Sequence, residues 1–235
     1  MKEEGIGNLN ESSLHKALKE YYAPGYKVEQ AVNGFVVDLK KDNKIIEIQT
    51  GNFSSLRKKL KSLLPEYKIH LVYPIPKEKR LIRLDLNGQI LSKRLSPKKG
   101  CFDDIFSELV YITDYLLHPN LSIEILLTKE EEIRVEDGLG SWRRKGVSIK
   151  DHHLLEILAR CYLKNATDYL SFLPTNLEET FTNKELAKCG LYSLNKARKI
   201  TYTLKKAGLI TVKKKVGSQY YYQNISGEET KSEIS

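Results

Sequence analysis

Cysteine is scarce in this sequence and scattered: Cys101, Cys161 and Cys189 are the three among 235 residues. That spacing leaves no disulfide framework and no CxxC metal knuckle, and it suits packing thiols in a reducing compartment. No apolar run approaches the roughly 20 residues needed to span a bilayer. Met1-Lys2-Glu3-Glu4-Gly5 lacks the apolar core of a signal peptide. The expectation is therefore a cytoplasmic protein with no membrane partner. Internal repeats and low-complexity tracts are missing too. Hydrophobic residues at 40% and charged residues at 29% exclude a mostly disordered chain. The length allows one large domain or two small ones.

What the sequence has in excess is positive charge, a formal +9 from 39 Lys and Arg against 30 Asp and Glu. Its distribution is uneven. Phe53–Gly100 holds 13 bases and three acids, and Asn176–Gln223 holds ten bases and three acids. The two blocks together outweigh the surplus of the whole chain, so the remainder is slightly acidic. Two separate basic surfaces suit a polyanionic partner.

Hydrophobic periodicity orders the elements. Leu14, Ala17, Leu18, Tyr21 and Tyr22 form one apolar stripe of a helix over residues 11–22, which Pro24-Gly25 ends. Tyr26–Val32 and Phe35–Lys40 read as strands joined at Asn33-Gly34, and Asp42-Asn43 turns into a strand over Lys44–Thr50. Ser54 or Ser55 caps a basic helix to about Leu64, stopped by Pro65. Lys68–Pro74 reads as a buried strand, and Arg80–Asp85 pairs with Gln89–Leu95 around Asn87-Gly88. Phe102–Leu117 is expected as a helix, Ser122–Leu127 as a strand, residues 129–147 as a loop or irregular connector, and Asp151–Leu173 as one or two helices.

The hairpin at Asp42-Asn43 carries the candidate chemistry. A short loop centred there sets Asp38 directly opposite Glu47, their Cβ atoms about 5 Å apart. Alternation puts Lys40 and Gln49 on the same face, with Val37, Leu39, Ile46 and Ile48 on the other. Facing carboxylates repel, and a hard divalent cation such as Mg²⁺ or Mn²⁺ removes that penalty. The simpler alternative is a solvated strand face whose acids are offset by nearby lysines. Against it stand the apolar opposite face, the helix with an acid at its start and the basic helix that follows.

A helix with Glu near its start, a strand carrying Asp, a strand carrying Glu-X-Lys, then a helix and a further strand: this order resembles the core of the PD-(D/E)XK nuclease superfamily. The matching pieces are Glu11, Val37-Asp38, Glu47-Ile48-Gln49, a helix after Gly51 and the strand Lys68–Pro74. The resemblance covers about residues 9–75, and at its widest extends to 127. It implies a restriction-endonuclease-like α/β fold, a mixed sheet flanked by helices. It implies Asp38 and Glu47 as metal ligands, with the Ile48 carbonyl a further one and Glu11 supporting the metal or its water. The family's lysine position holds Gln49 here, which can position a water but carries no charge. Lys40, or Lys58 or Lys59 on the next helix, would then supply a migrated cation.

In the second basic block, Thr182–Lys188 reads as a short capped helix and Ser193–Ala207 as a second. Leu209–Lys215 and Gln219–Gln223 then form a hairpin at Gly217-Ser218. The pattern resembles a winged-helix DNA-binding domain over about residues 176–225. It implies Asn195, Lys196, Arg198, Lys199 and Thr203 as recognition-helix contacts, and Lys213, Lys214, Lys215 and Tyr220 as wing contacts. Winged helices also serve as protein-docking modules, and the charge favours nucleic acid.

Two other features stand out. His152-His153 has neither Cys nor Glu-x-x-His beside it, and neighbouring helical residues point roughly 100° apart, so a helix-start pair with no metal role is expected. Gly138-Leu139-Gly140-Ser141-Trp142-Arg143-Arg144-Lys145-Gly146 lacks the ending of a P-loop. It reads either as a loop touching nucleic acid or as a plain connector. The expected organisation is a nuclease-like domain over 1–127, a helical connector over 128–175, a winged helix over 176–225 and a disordered tail over 226–235. The expected function is a Mg²⁺- or Mn²⁺-dependent DNA nuclease hydrolysing phosphodiester bonds, with duplex DNA as its partner and a homodimer or larger complex as its assembly. The alternative is a non-cleaving DNA-binding regulator, or a subunit of a repair or defence complex.

Overall fold

The computed structural model describes residues 11–224. In chain order the elements are α1 (Ser13–Tyr22), β1 (Lys27–Val32), β2 (Phe35–Lys41), β3 (Lys44–Ile48), α2 (Leu56–Leu63), β4 (Lys68–Leu84), β5 (Ile90–Leu95), α3 (Phe106–Leu109) and β6 (Leu121–Val135). There follow β7 (Ser148–Leu163), α4 (Ala166–Leu170), β8 (Thr180–Phe181), α5 (Asn183–Cys189), α6 (Leu194–Lys206), β9 (Ile210–Val216) and β10 (Gln219–Asn224). The fold is α/β, a mixed sheet flanked by helices. Its strands run β1-β2-β3-β4-β6-β7 with β5 added against β4, and a second sheet has the order β8-β10-β9. No helix among the described residues is long and apolar enough to cross a membrane.

The chain divides into two compact units. The first takes the described residues through Thr50, His70–Phe102 and Glu124–Cys161; the second takes Gly51–Ile69, Asp103–Ile123 and the described residues from Tyr162.

In the first unit, two turns fix the hairpins. Asn33 and Gly34 sit at φ +48° and +80°, and Asp42 at +50°, the left-handed values that two-residue hairpin turns require. The expected register follows: Leu39 pairs with Ile46 and Lys41 with Lys44. Helix α1 lays Leu14 and Leu18 on Leu39, Ile46, Ile48, Val72 and Leu126, with Leu154 and Ile157 at the margin. Fully burying one such leucine is worth about 1.5–3 kcal/mol, so this stripe fixes the helix on the sheet.

Several expectations fail, each for a local reason. Residues 151–173 form β7 and the short α4, not one or two long helices. Leu154, Leu155, Ile157 and Leu158 fit a helical stripe, but alternate residues also fit a strand, and pairing with β6 decides. Residues 128–163 are consequently mostly sheet, not a helical connector, and His152-His153 lie on a strand. The expected loop over 129–147 begins only after Val135, where β6 ends, and β4 runs on from Pro74 to Leu84. The expected helix over Phe102–Leu117 breaks into short pieces, with Ile112 at φ −124°. Val110, Ile112 and Thr113, all β-branched, weaken it there. Helix α2 is preceded by a 3-10 turn after Asn52, and neither Ser54 nor Ser55 caps it by side chain. The tail over 226–235 lies outside the described residues.

In the second unit, Thr182 and Glu185 form a reciprocal capping box at the start of α5, and Ser193 caps α6. Gly208 at φ +75° follows α6, and β9 and β10 pair through Val216 and Gln219. The short strand β8 pairs with β10 through Phe181 and Tyr222. Helix α6 packs on both α5 and α3.

Candidate active site and candidate nucleic-acid interface

The polar start of α1 is tied to the sheet before it reaches Asp38. Ser13 N–H donates to Asp151 Oδ1 at 2.9 Å, and its hydroxyl donates to the other oxygen of the same carboxylate. Burial works against the Asp151 charge. The bonds from Ser13, His152 N–H and His153 outweigh it and hold the carboxyl below its usual range. At the far end of the helix, Tyr22 O–H and Arg160 Nη1 donate to the buried Glu124 at 2.8 and 2.6 Å, and His70 Nε2 lies 2.8 Å from it.

This anchoring turns Glu11 and His15 towards Asp38. His15 Nε2 lies 3.2 Å from Asp38 Oδ1 and 3.4 Å from Glu11 Oε1. Burial disfavours the charged ring, but the Asp38 hydrogen bond and charge, with Glu11, raise the His15 pKa. Asp38 Oδ2 accepts the Ile48 N–H at 2.8 Å, where the paired register of β2 and β3 has ended at Leu39 and Ile46. Glu47, the residue after Ile46 on β3, is 8% exposed. The solvated-face reading fails, because Glu47 and Ile45 on this face are both buried.

The remaining expected site residues divide. Gln49 is half-buried, its N–H donating to the Val72 carbonyl at 2.9 Å. Lys40 donates to the Asp42 carbonyl at 2.9 Å and so clamps its own turn. Lys58 is exposed and Lys59 half-buried on α2, in the other unit. Glu11 is also held at 2.7 Å by Lys19, which bonds Glu29 at the same distance. Next to this centre is a cavity of about 330 Å³ lined by Glu11, His15, Thr50, Lys79, Glu130 and His152. Burial pushes the Glu130 carboxyl up and the His152 imidazole down.

In the second unit the expected DNA contacts part company. Lys196 is paired with Asp103 and, at 2.9 Å, with Asp104. Lys199 donates to Ser107 Oγ at 3.1 Å. Both therefore brace α6 against its own unit, and Thr203 is fully buried. Asn195 and Arg198 are exposed on the same helix. Arg198 lines a cleft with Asn183, Lys184, Ser218, Gln219 and Tyr220. Lys213, Lys214 and Lys215 are all exposed. Lys214 lies 4.8 Å from the Tyr221 ring, while Lys215 and Lys205 flank Tyr220 at 5.3 and 6.0 Å.

Residues 12–164 match the family described as Domain of unknown function (DUF8091). The chain belongs to this family. An uncharacterized protein of Treponema pallidum (strain Nichols) is 34% identical over 187 residues, covering 79% of this chain and 74% of that protein. No solved structure matches significantly.

The DUF8091 region runs from α1 through β7 and so contains Asp38, Glu47, Gln49, His15 and every residue of the adjoining cavity except Glu11; α5, α6 and the second sheet lie beyond it. His15 is not among the site residues expected from the sequence. Its position four residues after Glu11, on the same helix face, was the available signal. Lys79, Glu130 and His152 carried no such signal, because three separate strands or strand ends bring them to the cavity.

Proposed function

We propose that this DUF8091 protein is a metal-dependent DNA nuclease with a restriction-endonuclease-like core, and that its second unit holds duplex DNA as a winged helix. The observation carrying the reading is the Asp38 carboxylate just past the paired end of the β2–β3 ladder, met there by His15 of α1, which also lies beside Glu11. The succession α1-β1-β2-β3-α2-β4, with β1 to β4 adjacent in the sheet, supports the same fold.

The donor set suits Mg²⁺ or Mn²⁺: Asp38, Glu47, the Ile48 carbonyl and Glu11 all offer oxygen. Around Asp38 the described residues form no cluster of three His, Asp or Glu ligand atoms within 4.8 Å of one another. Asp38 and Glu47 would hold a cation that keeps most of its waters, as Mg²⁺ commonly does. Such an ion supplies an activated water and charge for the phosphoryl oxygens. Gln49 would be the residue to position that water through its amide, and the Ile48 N–H holds the Asp38 carboxylate.

A second reading, a DNA-binding regulator without cleavage, is favoured by one observation. His15 stands on Asp38 Oδ1, while Lys40, on the same strand as Asp38, is turned to its own hairpin. Incubating supercoiled, linear and single-stranded DNA with the full chain and Mg²⁺ or Mn²⁺ separates the two. Metal-dependent cleavage supports the nuclease. Binding without cleavage under either metal supports the regulator.

A further inference from the structure

The loop around Trp142, left open between two roles by the sequence, closes a basic cleft in the first unit. Strands β4 and β5 form a ribbon in which Leu81 pairs with Arg94 and Arg83 with Ser92, so alternation sets Arg83 and Arg94 on one face. That face, Arg134 at the end of β6, and Arg143, Arg144 and Lys145 of the loop line a cleft of about 210 Å³. No carboxylate is among its lining residues. Arg83 is matched by Glu136 and Arg134 by Glu132. Among the described residues Arg94, Arg143, Arg144 and Lys145 have no carboxylate partner. Cations gathered in this way repel one another, and an anion among them relieves the repulsion.

The loop is built, not loose. The Asp137 carboxylate accepts from the Ser148 hydroxyl and, at 2.9 Å, from Leu139 N–H. Gly140 N–H donates to the Gly146 carbonyl at 3.0 Å, and Lys145 N–H to the Trp142 carbonyl at 3.0 Å. Gly140 is required here, since a Cβ would stand 1.9 Å from the Val147 carbonyl oxygen. This frame holds Trp142, the one tryptophan of the sequence, 83% exposed beside the cleft. Arg143 lies 5.7 Å from its ring centroid.

We propose that this cleft binds a single strand of DNA, with phosphates among the six cations and an unpaired base stacked on Trp142. A base inside a duplex has no free face to offer the indole, whereas an unpaired base does. The cleft is also the size of one backbone segment and not of a duplex. The choice of DNA rests on the reading above, while the geometry of the cleft stands apart from Asp38 and from the second unit.

Because Trp142 is unique, its fluorescence reports this site in the full chain. Titration with a short oligodeoxythymidylate, without divalent metal, should quench it saturably, with an affinity at least about ten-fold above a duplex of equal length. Arg94→Ala with Arg143→Ala should weaken binding about ten-fold or more, and lower the log–log salt slope by about 0.7 for each phosphate left unneutralised. Trp142→Ala, read by the anisotropy of a labelled strand, should weaken it by roughly five-fold or more. Circular dichroism of these exposed-site variants checks that they fold, and Arg94→Lys should retain most of the affinity. Equal quenching by duplex would overturn the proposal. So would equal affinity for an abasic strand or for tripolyphosphate, which would mark a bare anion site, or unchanged binding by the double variant. A chain that cuts DNA without this quenching keeps the nuclease reading and loses the cleft. A chain that quenches without cutting does the reverse.

Discussion

Asp38 is gripped from two directions, by the Ile48 N–H on one oxygen and by His15 on the other. An amide at this position can still accept from Ile48 but cannot carry the charge that holds a cation. Asp38→Asn and Glu47→Gln should therefore each abolish metal-dependent cleavage. DNA binding should stay equal or tighten slightly, because negative charge near phosphate is removed. Parallel cleavage and binding assays check both; two variants that cut like the parent would place the activity elsewhere. Gln49→Lys tests the departure from the superfamily pattern. It adds charge where the motif expects it, and a rate increase on the order of ten-fold is expected. The full 10²–10³ associated with one transition-state donor is not, because glutamine already donates a hydrogen bond. Steady-state rates at saturating metal measure it.

At the scale of elements, the contact between α1 and β7 makes a prediction about pH. The Asp151 carboxyl is held below its ordinary value of 3.8. A depressed acid contributes stability above the unfolded pKa and loses it as pH falls through the folded one. Asp151→Asn should thus lower the melting temperature by a constant amount from about pH 5 upward, and the gap should close as the pH drops below about 4. Thermal melts of parent and variant across that range decide it. A gap that persists at low pH would assign the effect to packing and not to the ionised contact. This same contact was invisible in the sequence. The hairpins at Asn33-Gly34 and Asp42-Asn43 were readable because left-handed turn residues and alternation are local. So was the capped start of α5 at Thr182. Strand β7 was not, because its leucines satisfy two periods and only the distant β6 selects between them. His15 went unrecognised for a related reason. Its partners are one helical turn away and, in Asp38, on a strand beyond the next hairpin. The cavity beside it draws on strands whose pairing no local rule foretells.

For the whole molecule, charge alone overstates the surface available to a polyanionic partner. The ten bases of the second basic block are not equivalent once folded. Lys196 and Lys199 belong to the packing of α6 on the segment 103–107. The segment 176–225 is accordingly packed on residues 103–107, and the proposed DNA binding is best measured on the full chain. Lys213, Lys214 and Lys215 project from the β9–β10 hairpin with no comparable tie, apart from a 3.3 Å bond between Lys213 and Thr180. Each phosphate neutralised on a duplex contributes about 0.9 to the slope of log K against log salt. Replacing the three wing lysines by Ala should flatten that slope and weaken binding to all duplex sequences alike. Arg198→Ala should instead change whatever sequence preference exists, since that side chain lies beside Tyr220 and the wing turn. Lys196→Ala should behave differently again. It strands the Asp103 and Asp104 carboxylates that it now compensates, so it should lower the melting temperature while leaving the salt slope of the folded protein near that of the parent. Duplex titrations at several salt concentrations, paired with thermal melts, read all three outcomes. A Lys196 variant that keeps its stability and loses salt dependence would return that lysine to the DNA-facing side of α6.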